Sequence, residues 1–134
     1  MEQHDYLQRL IEQLGRVLGK ISSYLLVLKS KGQIESGIET TNQALKGELD
    51  LDIQELTNIP TDNFIETLKA KKSINNENLN KLADILLIIA ENRQDKDNKT
   101  LYEKCLTIYE YLENVENVYS IIRQEKITRI KNKL

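Results

Sequence analysis

A broad apolar stripe at helical period runs from Leu7 to Leu28, and it constrains the chain more than any other stretch. Leu7, Leu14, Ile21 and Leu28 recur every seven residues, Leu10, Val17 and Tyr24 follow the first three of them by three, and Ile11, Leu18 and Leu25 lie beside them. That width marks a core face rather than a narrow coiled-coil seam. Such a helix does not stay solvated alone, so the remaining chain is expected to cover it. At 134 residues the chain suits one domain.

Local signals predict the helix ends. Asp5 with Gln8 has capping-box spacing for a first helix that runs to Ser30, and Gly32 is a natural left-handed stop. Gly15 and Gly19 stand four apart inside it, which predicts close approach of a second helix, with a hinge as the alternative. A second helix is expected over about Ile34 to Lys46, ending near Gly47 and antiparallel to the first. From Glu48 to Glu66 there are six carboxylates and no Lys or Arg. Asp52 and Glu55 read as a capping box, and Thr61 or Asp62 as the cap of a helix to Ala70 with Phe64, Ile65 and Leu68 inward. The acids are placed for helix N-termini and lack the calcium-loop pattern.

Ser73 to Asn76 is a turn-and-cap cluster before the most apolar helix, Leu79 to Ala90, which ends near Arg93. After the polar stretch Asn92 to Lys99, a helix from about Asp97 carries Leu101, Cys105, Ile108 and Leu112 in register. The same register reaches Val115, Tyr119 and Ile122, so one continuous helix competes with a break at Asn114 to Asn117. The break is the preferred reading.

The two apolar helices align at an offset of 68 residues. Leu14-Gly15-x-x-Leu18 falls on Leu82-Ala83-x-x-Leu86, Ile21 on Ile89, Ile34 on Tyr102, and Gly37-Ile38 on Cys105-Leu106. This pattern of large and small residues resembles the tetratricopeptide hairpin, although each hairpin is longer than that repeat and Glu48 to Ile74 intervenes. The expected fold is therefore all-α, one domain of five to seven helices. Two tetratricopeptide-like antiparallel hairpins, at about 5–47 and 76–113, are joined by short helices at about 52–72, with a basic terminal helix at about 115–132.

Asp5-Tyr6-x-x-Arg9-x-Ile11-x-x-Leu14-Gly15-x-x-Leu18 resembles the start of an uncharacterised family of small bacterial all-helical proteins, a domain of unknown function. Gly47-x-x-Asp50-Leu51, Leu82-Ala83-Asp84-Ile85-Leu86 and Tyr102-x-Lys104-Cys105-Leu106 are similar to the same family. The chain departs from it at Gly37 and Cys105, where Ala would be typical. The resemblance covers about residues 4 to 113. It implies fold and bacterial origin, and no activity.

Signs of chemistry are sparse. His4 is the sole histidine, and Cys105, the sole cysteine, occupies a small inward position. Neither suits a nucleophile–base pair, and no phosphate loop or paired cysteine occurs. No catalytic, cofactor or metal residue is expected, and the chain reads as a non-enzyme. One unpaired cysteine, no basic n-region and no apolar run of about 18 residues point to a cytoplasmic protein. Nineteen basic against 21 acidic residues, a net charge of −2, give no bulk attraction for nucleic acid.

Two groups remain as candidate surfaces. Tyr102 and Tyr109, two turns apart, are candidate partner-binding residues if the hairpins form a groove, with core-edge packing as the alternative. Arg123, Lys126, Arg129 and Lys131 form a candidate basic surface on the last helix, opposed after residue 120 only by Glu125. That surface suits RNA, an anionic membrane or an acidic partner; the alternatives are a solvated outer face and packing against the acidic Glu48–Glu66 stretch. The leading expectation is a protein-interaction or scaffold module with an unknown partner, or a homodimer through the first or last helix. Nucleic-acid or membrane-surface binding is the second.

Overall fold

The computed structural model describes residues 2–93, 98–117 and 119–134. These form seven helices and no strand: α1 (Glu2–Ser30), α2 (Ile34–Leu49), α3 (Ile53–Asn58), α4 (Thr61–Lys69), α5 (Asn76–Asn92), α6 (Asn98–Val115) and α7 (Ile121–Lys131). The expected start of α6 near Asp97 lies outside the described residues.

The centre is α5 rather than α1. Nine of its 17 residues are buried, and Asn78 is the only polar one among them. Packed between α1 and α6, with α2 also touching it, α5 has apolar residues on almost every side. The stripe on α1 is buried at Leu14, Leu18, Ile21, Leu25 and Leu28, while Leu26 and Val27 are about half exposed. Helix α1 is thus a flank with one covered face. Helix α2 covers α1, and α3, α4 and α7 lie against α6.

Several ends follow the local code. Gly32 has φ +67° after α1. Asp52 accepts from the Glu55 amide at 2.8 Å while Glu55 accepts from the Asp52 amide at 3.2 Å, a complete capping box. Asn75 caps α5 by accepting from the Asn78 amide at 2.9 Å. Others differ. Asp5 lies inside α1, so it caps nothing, and α2 runs past Gly47 to a left-handed Asp50 at φ 60°. Pro60, not Thr61 or Asp62, precedes α4. Its fixed φ suits a chain entering a helix, so no side-chain cap is needed. The break after α6 is present: α6 ends at Val115, and Ser120 caps α7 by accepting from the Arg123 amide at 3.1 Å.

Gly15 and Gly19 divide. A Cβ on Gly15 would stand 3.2 Å from Asn78 Oδ1, whereas one on Gly19 would meet nothing within 4 Å. The bare surface at Gly15 admits the Asn78 side chain, whose Nδ2 donates to the Ile11 carbonyl at 3.0 Å and the Ser73 carbonyl at 2.8 Å. The 68-residue alignment does not carry over into equivalent packing. Cys105 Sγ lies 3.6 Å from the Ala83 carbonyl, but Gly37 faces Leu28, Leu25 and Tyr24 rather than Gly15.

Candidate functional site

Helix α7 is attached mainly by charge. Only Ile127 and Ile130 are buried. Around them its cations reach carboxylates on α5 and α6. Arg123 bonds Glu113 at 3.0 Å, Glu116 at 3.2 Å and Asn80 Oδ1 at 3.2 Å. Lys126 donates to Asp84 at 2.8 Å, Arg129 to Glu91 at 2.7 Å and to Glu125 at 2.8 Å, and Lys131 lies 3.8 Å from Glu110. The four candidate basic residues therefore lie together, each facing a carboxylate of its own chain. Those carboxylates come from α5, α6, the joint after α6 (Glu116) and α7, not from the Glu48–Glu66 stretch.

The pairs differ in strength because they differ in exposure. Arg123 is 11 % exposed and Glu113 16 %, whereas Lys131 is 59 % exposed. The Arg123 cluster is shielded from solvent and salt, and the Lys131 pair is not. Burial opposes the charge of Arg129, but its bonds to Glu91 and Glu125 outweigh burial and raise its pKa.

Tyr102 and Tyr109 are both buried and belong to the core. Tyr109 donates its hydroxyl to Asp84 Oδ1 at 2.5 Å, the oxygen that also takes Lys126. Burial first, and then the Asp84 charge, push the Tyr109 phenol far up. Burial likewise raises Tyr102. The two tyrosines thus supply packing and one fixed hydroxyl, with little surface for a partner. A cleft of about 330 Å³ opens beside the network, between Leu26 of α1, Leu87 and Ile88 of α5, and Lys126 and Arg129 of α7.

Other polar groups are committed to the fold. Lys104 is 3 % exposed, with its amine donating to the Ile59 carbonyl and to Thr61 Oγ1 and lying 4.9 Å from the Phe64 ring centre. Burial lowers its pKa. It ties the α3–α4 joint to α6. Cys105 is fully buried, and burial raises its thiol well above its ordinary value, which keeps it protonated. Among the described residues no group of three or more His, Cys, Asp or Glu is arranged for a metal ion, and no helix is long and apolar enough to cross a membrane.

The open apolar surface lies elsewhere. Val115, Tyr119, Ile121 and Ile122 are 46, 70, 75 and 70 % exposed, all within eight residues of the α6–α7 joint. Tyr119 and Ile121 line one shallow depression with Gln124 and Thr128 on the outer side of α7.

Residues 1–119 match the model of a family of unknown function, DUF6483. The chain belongs to that family. The match takes in all of α1 to α6, with Asp84, Glu91, Glu110, Glu113 and Glu116, and stops at Tyr119, before α7. No curated protein matches the chain. No solved structure matches it either. The expectation of an uncharacterised domain is met.

Sequence reasoning passed over Asp84 and Lys104. Asp84 had a readable signal, as the single carboxylate within the apolar run Leu79 to Ala90. Lys104 had one too, three residues after Leu101 and four before Ile108 on the inward stripe of α6.

Proposed function

We propose that this DUF6483 protein is a non-catalytic protein-interaction module whose contact surface is the apolar corner at the α6–α7 joint. The carrying observation is the exposure of Val115, Tyr119, Ile121 and Ile122 together, the last three being more open, at 70–75 %, than any other large apolar side chain among the described residues. Clustered exposed apolar side chains mark interaction surfaces, whereas scattered ones do not. Tyr119 and Ile121 rimmed by polar Gln124 and Thr128 match the anatomy of such a surface. The reading includes a bacterial, cytoplasmic setting, which one buried, protonated thiol suits, and tetratricopeptide-like hairpins, for which the Ala83–Cys105 contact speaks. Binding of nucleic acid or an anionic membrane by the basic helix has less support, because Arg123, Lys126 and Arg129 are each held within 3.2 Å of a carboxylate.

The test is recovery of stoichiometric partner on the immobilised chain, with and without nuclease. The native chain is compared with a triple variant, Tyr119→Ser, Ile121→Ser and Ile122→Ser. These side chains are exposed, so helical content should stay unchanged while partner recovery falls at least tenfold. Full recovery by the triple variant would reject the corner. Recovery lost to nuclease, or to Gln at Arg123, Lys126, Arg129 and Lys131, would move the site to the basic helix.

A further inference from the structure

The corner and the charge-held helix lie on the two sides of one joint, and together they indicate a partner. We propose that the partner is a second copy of this chain, and that the two copies exchange α7, each laying it on the other's acidic α5–α6 face. This rests on the corner reading above and names its occupant.

Three observations converge. The hold on α7 is largely ionic, with two buried isoleucines as its apolar contribution. Arg129 and Lys131 are exposed enough for salt to weaken their pairs, and ionic bonds re-form between any two complementary faces, so the same bonds serve within a chain or between chains. Second, the faces are complementary and lie wholly in one chain: carboxylates on α5 and α6, cations on α7. The family match ends at Tyr119, within the joint, so the matched portion holds the acidic face without its basic occupant. Third, the most exposed large apolar residues are at the joint itself. When two chains exchange a terminal helix, every contact of the exchanged element is preserved, and the only new interface is where the two joints run past each other. Val115, Tyr119, Ile121 and Ile122 occupy that place. They are uncovered in the single chain and would cover one another in the exchanged pair.

Exchange can be read with a matched pair of charge-reversed chains. One carries Glu91→Arg with Glu113→Arg, and the other Arg123→Glu with Arg129→Glu. Alone, each opposes its own α7. Mixed, both grooves regain an oppositely charged helix, but only by exchange. The expected result is a 1:1 heterodimer by light scattering, at least tenfold more abundant than either homodimer. As a safeguard against misfolded variants, native chains with light and heavy isotopes are mixed in 1 M salt, returned to low salt and cross-linked with a carbodiimide. Peptides joining Lys126 to Asp84 should then carry mixed labels in about half of the dimer fraction, the statistical limit for full exchange. No heterodimer together with same-label peptides only would overturn the exchange. With same-label peptides only, a native chain that still dimerised and a Tyr119, Ile121 and Ile122 serine variant that did not would overturn exchange while the corner reading stood. A mixed-label dimer indifferent to those three substitutions would support exchange and overturn the corner reading.

Discussion

Removing one oxygen atom at Tyr109 should have two linked effects. Tyr109→Phe keeps the buried ring and deletes the hydroxyl that donates to Asp84 at 2.5 Å. A hydrogen bond to a charged group contributes about 1.5–3 kcal/mol. Asp84 is 28 % exposed and keeps Lys126 at 2.8 Å, which places the loss at the lower end, about 1.5–2 kcal/mol. With an unfolding entropy of about 2.1 cal/mol/K per residue, that is a fall in Tm of about 5–7 °C. The second effect is on pH. The free phenol titrates near 10.0, and in the fold burial and Asp84 keep it protonated well beyond that. Above pH 10 the unfolded chain therefore binds fewer protons than the folded one, so this group's contribution to stability falls as pH rises, by about 1.4 kcal/mol per unit. The phenylalanine variant lacks that loss. The native advantage should shrink to roughly 0.5 kcal/mol by pH 11. Urea unfolding followed by circular dichroism at pH 7.5 and pH 11 measures both. A difference under about 0.5 kcal/mol at pH 7.5, or an equal difference at both pH values, would refute the role given to the hydroxyl.

Other substitutions probe the packing. Gly19→Ala should stabilise by up to about 1 kcal/mol, because α1 gains a better helix former in open space. Gly37→Ala should cost about 1–3 kcal/mol, since its Cβ would fall 2.5 Å from Leu28 Cδ1; thermal unfolding of the two separates the signs. Lys104→Met should stay within about 1 kcal/mol of native by urea titration while Lys104→Ala loses about 2–4, because the stem fills space and the buried charge is costly. Arg123→Met should cost about 2 kcal/mol and Lys131→Met under about 0.5, a ranking that equal surface charges would not give.

Where a signal and its partner sit within a few residues, the fold was legible. Asp52 with Glu55, Gly32, and the cap at Asn75 are local geometry, and each end falls where the backbone needs it; the start of the last helix, expected near 115, falls at Ile121 after the Ser120 cap. The all-α class followed from period alone. The central helix was harder to read, because the stripe on α1 is longer than that of α5; what counts is that α5 is apolar on several sides, as at Leu82, Ile85, Leu87 and Ile89. The basic helix was visible as a pattern, but its partners Asp84, Glu91 and Glu113 lie 10 to 42 residues away, and charge alone does not say which acid a cation meets. Tyr102 and Tyr109 read equally as groove or core, since two turns of spacing define a face without saying what covers it.

The Asn78 bridge sets how the core is permitted to change. Leu14, Leu18, Ile21 and Leu25 form a ladder with nearly equal rungs, and such a ladder packs with similar energy if it slides along its neighbour by a turn. The Asn78 amide does not allow the slide, since its bond to Ser73 beside α5 holds it in place and its bond to the Ile11 carbonyl of α1 would be lost. One buried polar side chain thus fixes an alignment that the leucines leave degenerate. Substitutions among those leucines are therefore expected to be interchangeable within the family's packing, while positions 15 and 78 are coupled. A side chain at 15 presses on Asn78 Oδ1, so it is easiest to place where residue 78 no longer reaches across, and α1 would then need another way to hold its place against α5.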